Sequence, residues 1–217
     1  MMFGLVGVLV ADSANRSSAE KRFGETAHDS TTDLGTIARE VLREELAAQH
    51  APQWINDSSP AQLMLSPYAL FTVLPSGKAR LFCLLRAEIP GPNESEPKWS
   101  VRYFARAPGE YTIEGDDGWM PHDRFATGMR AAIRRAMQVC VADTAGKLNG
   151  ARSTQVKGVF PYLNTDRFKL PFIIVQEDEQ EVIAKLAAGD AMVLAGTHVM
   201  EKADYTFTPA TFKDLRK

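Results

Sequence analysis

Three strand-length apolar runs follow one another between Ser66 and Ala107, the third alternating with polar positions. The spacing then changes to the three-to-four-residue repeat of a helix, held from Phe125 to Leu148. The first pattern predicts strands and the second a long amphipathic helix. Residues 68–74 form the first expected strand. Pro75-Ser76-Gly77-Lys78 follows with turn chemistry, because proline presets φ and glycine tolerates positive φ. Residues 80–89 return as the second strand. Its run Leu81-Phe82-Cys83-Leu84-Leu85 is apolar without a break, as expected of a central strand covered on both faces. The proline-rich stretch 90–97 cannot continue a ladder and is expected to be a hairpin loop. Residues 99–107 supply the third strand, with Trp99, Val101 and Tyr103 alternating against Ser100 and Arg102.

The helix over 123–148 takes Asp123 as its cap. Its buried stripe is Phe125, Met129, Ala132, Ile133, Ala136, Met137, Cys140 and Thr144, with Arg134 and Arg135 opposite and Gly146 or Gly150 ending it. A second amphipathic helix is expected over 33–49, capped by Thr32 or Asp33, with Leu34, Ile37, Val41, Leu42 and Leu46 inward. Its like-charge pairs Glu40–Glu44 and Arg39–Arg43 are poorly suited to an isolated helix. Beyond residue 150 short strands are expected at 156–163, 171–175, 191–195 and 205–208. A short helix is expected at 177–188, where the acidic Glu177-Asp178-Glu179 suits a helix N-terminus. Thr208-Pro209 reads as a cap followed by an N1 proline, opening a last helical turn towards Leu215. The expected fold class is α+β: an antiparallel sheet with the two amphipathic helices on one face (residues 1–150), plus a small C-terminal α/β extension (151–217).

Charge narrows the choice of function. With 25 basic and 27 acidic residues the net charge is −2, which makes nucleic acid a poor default partner. The two cysteines, Cys83 and Cys140, lie far apart and fall on inward positions. They are expected as packed free thiols rather than a disulfide. His28, His50, His122 and His198 are scattered and make no zinc ligand set with them, so no metal and no cofactor is expected. Gly4 and Gly7 lack the strand–turn–helix setting of a dinucleotide fingerprint.

The apolar start Met1–Ala11 is too short to span a bilayer and lacks the basic residues that open a secretory signal. It reads as a buried first strand, as the remnant of a signal peptide, or as a start inside a longer gene. His122 beside Asp116 and Asp117 is the nearest approach to an acid–base cluster, although a helix cap after a polar turn explains the same residues. Arg130, Arg134 and Arg135 give the long helix a basic flank suited to an acidic partner or to solvent. Trp99, Tyr111 and Trp119 fall in and after the third strand, either as a binding surface or as cover for the sheet.

The order of elements resembles small bacterial cell-envelope proteins of the lipoprotein kind. The resemblance rests on Gly4-Leu5-Val6-Gly7-Val8-Leu9-Val10, the Ser/Ala-rich stretch 13–20, the strand 68–74, Val101-Arg102-Tyr103-Phe104, and Gly118-Trp119 leading into 125–148. It covers residues 1–148 and is one of layout rather than motif. It implies a non-catalytic accessory protein working through protein–protein contacts on the periplasmic side of the envelope. Its pattern includes a cleaved leader and a lipid-bearing cysteine, whereas no cysteine precedes Cys83 here, so membrane association requires a leader upstream of Met1. The alternatives are an enzyme using His122, Asp116 and Asp117, and a cytoplasmic regulatory module that binds a small ligand between the sheet and the C-terminal extension.

Overall fold

The computed structural model describes residues 33–48, 63–89, 91, 97–120, 123–163, 168–186 and 192–210. Among these residues it is an α+β fold with one mixed eight-stranded sheet and two α-helices. The apolar N-terminal stretch, Thr32, His28, His50, His122, most of the 90–97 loop and the turn towards Leu215 lie outside the described residues.

The meander takes the form its alternation predicts. Strands β1 (Met64–Val73), β2 (Ala79–Ile89) and β3 (Trp99–Arg106) pair antiparallel in order. Gly77, at φ 81°, closes the β1–β2 turn, where its N–H donates to the Leu74 carbonyl at 2.9 Å. Leu81, Cys83 and Leu85 point to the helix side, and Phe82 and Leu84 to the other face, so β2 is buried on both sides.

Helix α1 (Leu34–Ala48) starts at Asp33. Its carboxylate accepts the Gly35 N–H at 2.9 Å and the Thr36 hydroxyl at 2.6 Å. These bonds, that to Thr36 first, hold the carboxyl below its ordinary range. Helix α2 (Arg124–Thr144) buries Phe125, Met129, Ala132, Ile133, Ala136, Met137 and Cys140 as the spacing predicts, and Gly128, Val139 and Val141 besides. Thr144 is exposed, its hydroxyl bonded back to the Cys140 carbonyl at 2.9 Å. Asp123 stands at the expected start of α2, but its side chain makes no capping bond. At the other end Gly146 (φ 68°) donates to Asp143 O and Lys147 N to Ala142 O, the paired bonds of a Schellman stop.

The region after residue 150 departs from expectation. It adds five strands to the same sheet: β4 (Arg152–Lys157), β5 (Lys169–Glu177), β6 (Glu181–Leu186), β7 (Gly196–Glu201) and β8 (Thr206–Pro209). The expected helix at 177–188 is the β5–β6 hairpin. Asp178 Oδ1 accepts the N–H groups of Gln180 (2.8 Å) and Glu181 (2.7 Å), closing a turn with the same bonds that would have capped a helix. The strand expected at 191–195 is a 3-10 turn over Met192–Leu194, and the strand itself begins at Gly196. Thr208-Pro209 belongs to β8, paired with β4, rather than opening a helix.

The strand order β1-β2-β3-β7-β6-β5-β4-β8 places two antiparallel meanders side by side. Among the described strands one parallel pair, β3 with β7, joins them, so the sheet is mixed and not wholly antiparallel. At this seam Gly196 has φ 145°, and a Cβ there would run into the Arg102 carbonyl; only glycine permits the approach. The helix-side core gathers residues of α1, α2 and β1–β3 with Val175, Ile183 and Val199 of the later strands. On the opposite face, Phe160, Leu194 and Tyr205 close over Val156, Phe172, Ile174, Val182, Ala184 and Met200.

Candidate functional site

The sequence-predicted site residues separate into three places. Trp119 is an interior residue, 1% exposed. The chain after β3 folds back so that Ala79 N donates to Tyr111 O at 2.6 Å, and Trp119 N to Thr112 O at 2.8 Å. This drives the indole inward, where Nε1 donates to the Ala79 carbonyl at 2.8 Å and the Tyr111 ring meets it edge-on at 4.9 Å. Gly128 makes the room, since a Cβ there would stand 2.7 Å from the indole. Tyr111 is half-buried, with the Arg124 guanidinium 4.5 Å above its ring. Trp119 therefore presents no face to a partner. Burying the indole with its N–H satisfied builds the core beneath α2.

Trp99 lies elsewhere, opposite Ile89 in the β2–β3 ladder. It is partly buried against the helix-side core, as are Leu65 and Val101. The β1–β2 register pairs Leu65 with Ala87, which points Leu63 and Ile89 to this same side. Leu63 and Ile89 are each 37% exposed, so Leu63, Ile89 and Trp99 make an apolar row at one end of the sheet.

Arg134 and Arg135 are already engaged. Arg134 pairs with Glu44 and Glu45, Arg130 with Glu40 at 2.5 Å, and Arg135 Nε donates to Glu181 at 2.8 Å. The contacts advance in step along both helices, so α1 and α2 run in the same direction. The Glu40–Glu44 repulsion within α1 is thus offset by the arginines of α2. These pairs are partly exposed and stabilise by only about 0–1 kcal/mol each. Asp116 and Asp117 are exposed in a turn, and His122 lies outside the described residues.

Sequence reasoning missed three polar clusters, because each joins residues distant along the chain. In the first, Asp143 at the end of α2 accepts the Tyr103 hydroxyl at 3.0 Å and Lys185 Nζ at 2.7 Å. The Cys140 thiol sits beside Tyr103, and Thr197, opposite both Tyr103 and Lys185 in the sheet, buries a hydroxyl with no bond from the described residues. Burial pushes the Tyr103 phenol far up and the Cys140 thiol up to about 12. Both stay protonated, the opposite of what a nucleophile needs. Cys83 is likewise a free thiol held protonated by burial.

In the second, Asp204 bridges Arg80 (3.3 Å) and Arg106, with Glu110 2.5 Å from Arg80. In the third, His198 lies stacked on Phe104 (centroids 4.3 Å, 15°) with the edges of Phe160 and Phe172 around it. Its Nε2 is 2.7 Å from the Leu194 carbonyl, which can only accept, so Nε2 carries the hydrogen. Burial lowers its pKa to about 4, so the ring is neutral at pH 7.

Among the described residues, no group of three or more His, Cys, Asp or Glu is placed to hold a metal ion. No described helix is long and apolar enough to cross a membrane. No family model and no curated protein matches this chain.

Proposed function

We propose that this chain is a non-catalytic accessory protein that works through protein–protein contact, in the bacterial cell envelope that its layout resembles. The observation that carries the reading is the apolar row Leu63–Ile89–Trp99, placed by rigid strands at the rim of the helix-side core. A partner's apolar side chains laid on this row would gain about 25 cal/mol for each Å² withdrawn from water, and aromatic anchors such as Trp99 carry a large share of binding energy. The chemistry-bearing side chains support the same reading. Tyr103 and Cys140 are kept protonated, and Asp143, Asp204 and the α2 arginines are spent on internal bonds.

The test is site-specific photo-crosslinking in cells, with the probe at Ile89 and, as a control, at Val73, a somewhat more exposed apolar residue at the opposite end of β1–β2. A discrete adduct is expected from position 89, absent from 73 and lost in a Trp99→Ser background whose thermal unfolding matches that of the parent. Equal labelling from both positions, or no adduct from 89, overturns the reading. Cell fractionation tests the setting, and recovery wholly in the cytoplasm removes the envelope from the proposal.

A further inference from the structure

The second face of the sheet holds a titratable side chain where a phenylalanine would fit. His198 is 2% exposed. Its ring is enclosed by Phe104 of β3, Phe172 of β5 and Phe160 of the 158–163 segment, and among the described residues its hydrogen-bond partner is the carbonyl of Leu194. Two of those contacts come from pieces that are not strands: the 158–163 segment and the Met192–Leu194 turn. Together with Tyr205, which bonds Val159 O at 2.8 Å, they form the cover over this face.

We propose that His198 is an acid-sensitive latch: a proton on its ring releases the 158–163 segment and the 192–194 turn from the second face, while the helix side stays packed. This goes beyond the contact reading above, since it concerns the other face and a different trigger.

The neutral ring has one N–H, and Leu194 O accepts it. A protonated ring carries a charge and a second N–H, Nδ1–H, among side chains that are hydrocarbon. Attraction between the cation and the stacked Phe104 face offsets only part of what an ion loses on leaving water. Moving the ring into water requires displacing the cover, which is made of a turn and an irregular segment, whereas the strands beneath are held by ladders on both sides.

Among the described residues, the ionisable groups that face the site do not rescue the charge. From β3, Arg102 and Arg106 share the face of Phe104, and both are cations. Asp204 and Glu201 lie against Arg106, and Tyr162 and Tyr205 titrate only at high pH. β5 and β6 offer Phe172, Ile174, Val182, Ala184 and Leu186. Release uncovers Phe104 and Phe172, an aromatic face that neutral pH keeps closed.

The test is hydrogen exchange followed by mass spectrometry on the full chain, between pH 6.5 and about 4, corrected for intrinsic exchange. Amides of 159–163 and 193–195 are expected to lose protection by about tenfold or more, while those of β7 and of 129–141 in α2 hold theirs. In His198→Phe the difference disappears. Opening of both regions together, or an unchanged response in His198→Phe, overturns the proposal. So does a response that vanishes in Asp204→Asn and persists in His198→Phe. If His198→Phe does not fold, the ring of the parent protein decides by NMR: titration at an ordinary histidine value overturns the latch, and a ring still neutral at pH 5 supports it.

Discussion

Replacing Asp204 by alanine tests how strongly the two meanders are tied together away from their shared ladder. Asp204 sits in the turn between β7 and β8 and pairs with Arg80 of β2 and Arg106 of β3. The three side chains keep only 17%, 11% and 13% of their exposure, so water screens them weakly. Without the carboxylate Arg80 keeps Glu110 at 2.5 Å, but Arg106 keeps only Glu201, at 3.8 Å and 45% exposed. The loss falls mainly on Arg106, whose Nε already lacks a bond from the described residues. Breaking a fully buried pair costs about 3–5 kcal/mol. Partial exposure lowers the expectation here to about 2–4 kcal/mol, or roughly 5–15 °C in Tm for a chain of this size. Urea unfolding at pH 7.5 measures it. Adding Arg106→Met to Asp204→Ala removes the stranded charge and recovers at least half of the loss, because an apolar replacement of a buried pair is often neutral. A cost below about 0.5 kcal/mol would place the cluster with ordinary surface pairs, and a double variant no better than the single would refute the stranded-charge account.

Other expectations follow from single contacts. His198 has a folded pKa of about 4 against 6.5 unfolded, so its contribution is complete above pH 6.5 and is lost as pH falls towards 4. Global urea stability of the parent should fall over that window by about 3 kcal/mol more than that of His198→Phe; parallel curves would contradict this. Gly128→Ala gains about 1 kcal/mol of helix propensity but sets a Cβ 2.7 Å from the Trp119 ring. A net loss of about 1–2 kcal/mol is expected, and a thermal melt showing stabilisation would mean that the indole moves freely. Thr197→Val removes a buried, unbonded hydroxyl. Stability is expected to be unchanged or to rise by about 1 kcal/mol; a large loss in urea unfolding would reveal a bond to that hydroxyl.

The legible parts of the chain were those whose partners are local or whose pattern is long. The stripe from Phe125 to Cys140 repeats over about four turns and buries as its spacing requires. The β1–β2 turn carries its own chemistry in Gly77. The 177–188 segment was misread because its evidence is ambiguous by nature. An aspartate that accepts two forward N–H groups opens a helix or closes a hairpin with the same bonds. The six residues Glu181–Leu186 are too few for periodicity to decide. Glu177 was read as serving a helix dipole, yet it answers Arg152 and Lys202, while Glu181 answers Arg135. Of the expected contact residues, Trp119 carried no mark that separates a core indole from a docking one; only the bond to Ala79 O and the space left by Gly128 decide it.

By itself the sequence determined that three strands run through 68–107, that helices cover 33–49 and 123–148 with most of their inward faces, the thiol character of the cysteines and the α+β class. Each of these follows from side-chain spacing or from the environment that spacing creates. Tertiary structure alone decided that β7 lies beside β3, that the acidic face of α1 meets the basic face of α2, and that His198, Asp204 and Tyr103 are centres of buried polar clusters. The reason is physical. Local patterns record whether a residue faces the interior, whereas the partner it finds there depends on where distant strands dock, and that choice is made by the packing of whole faces.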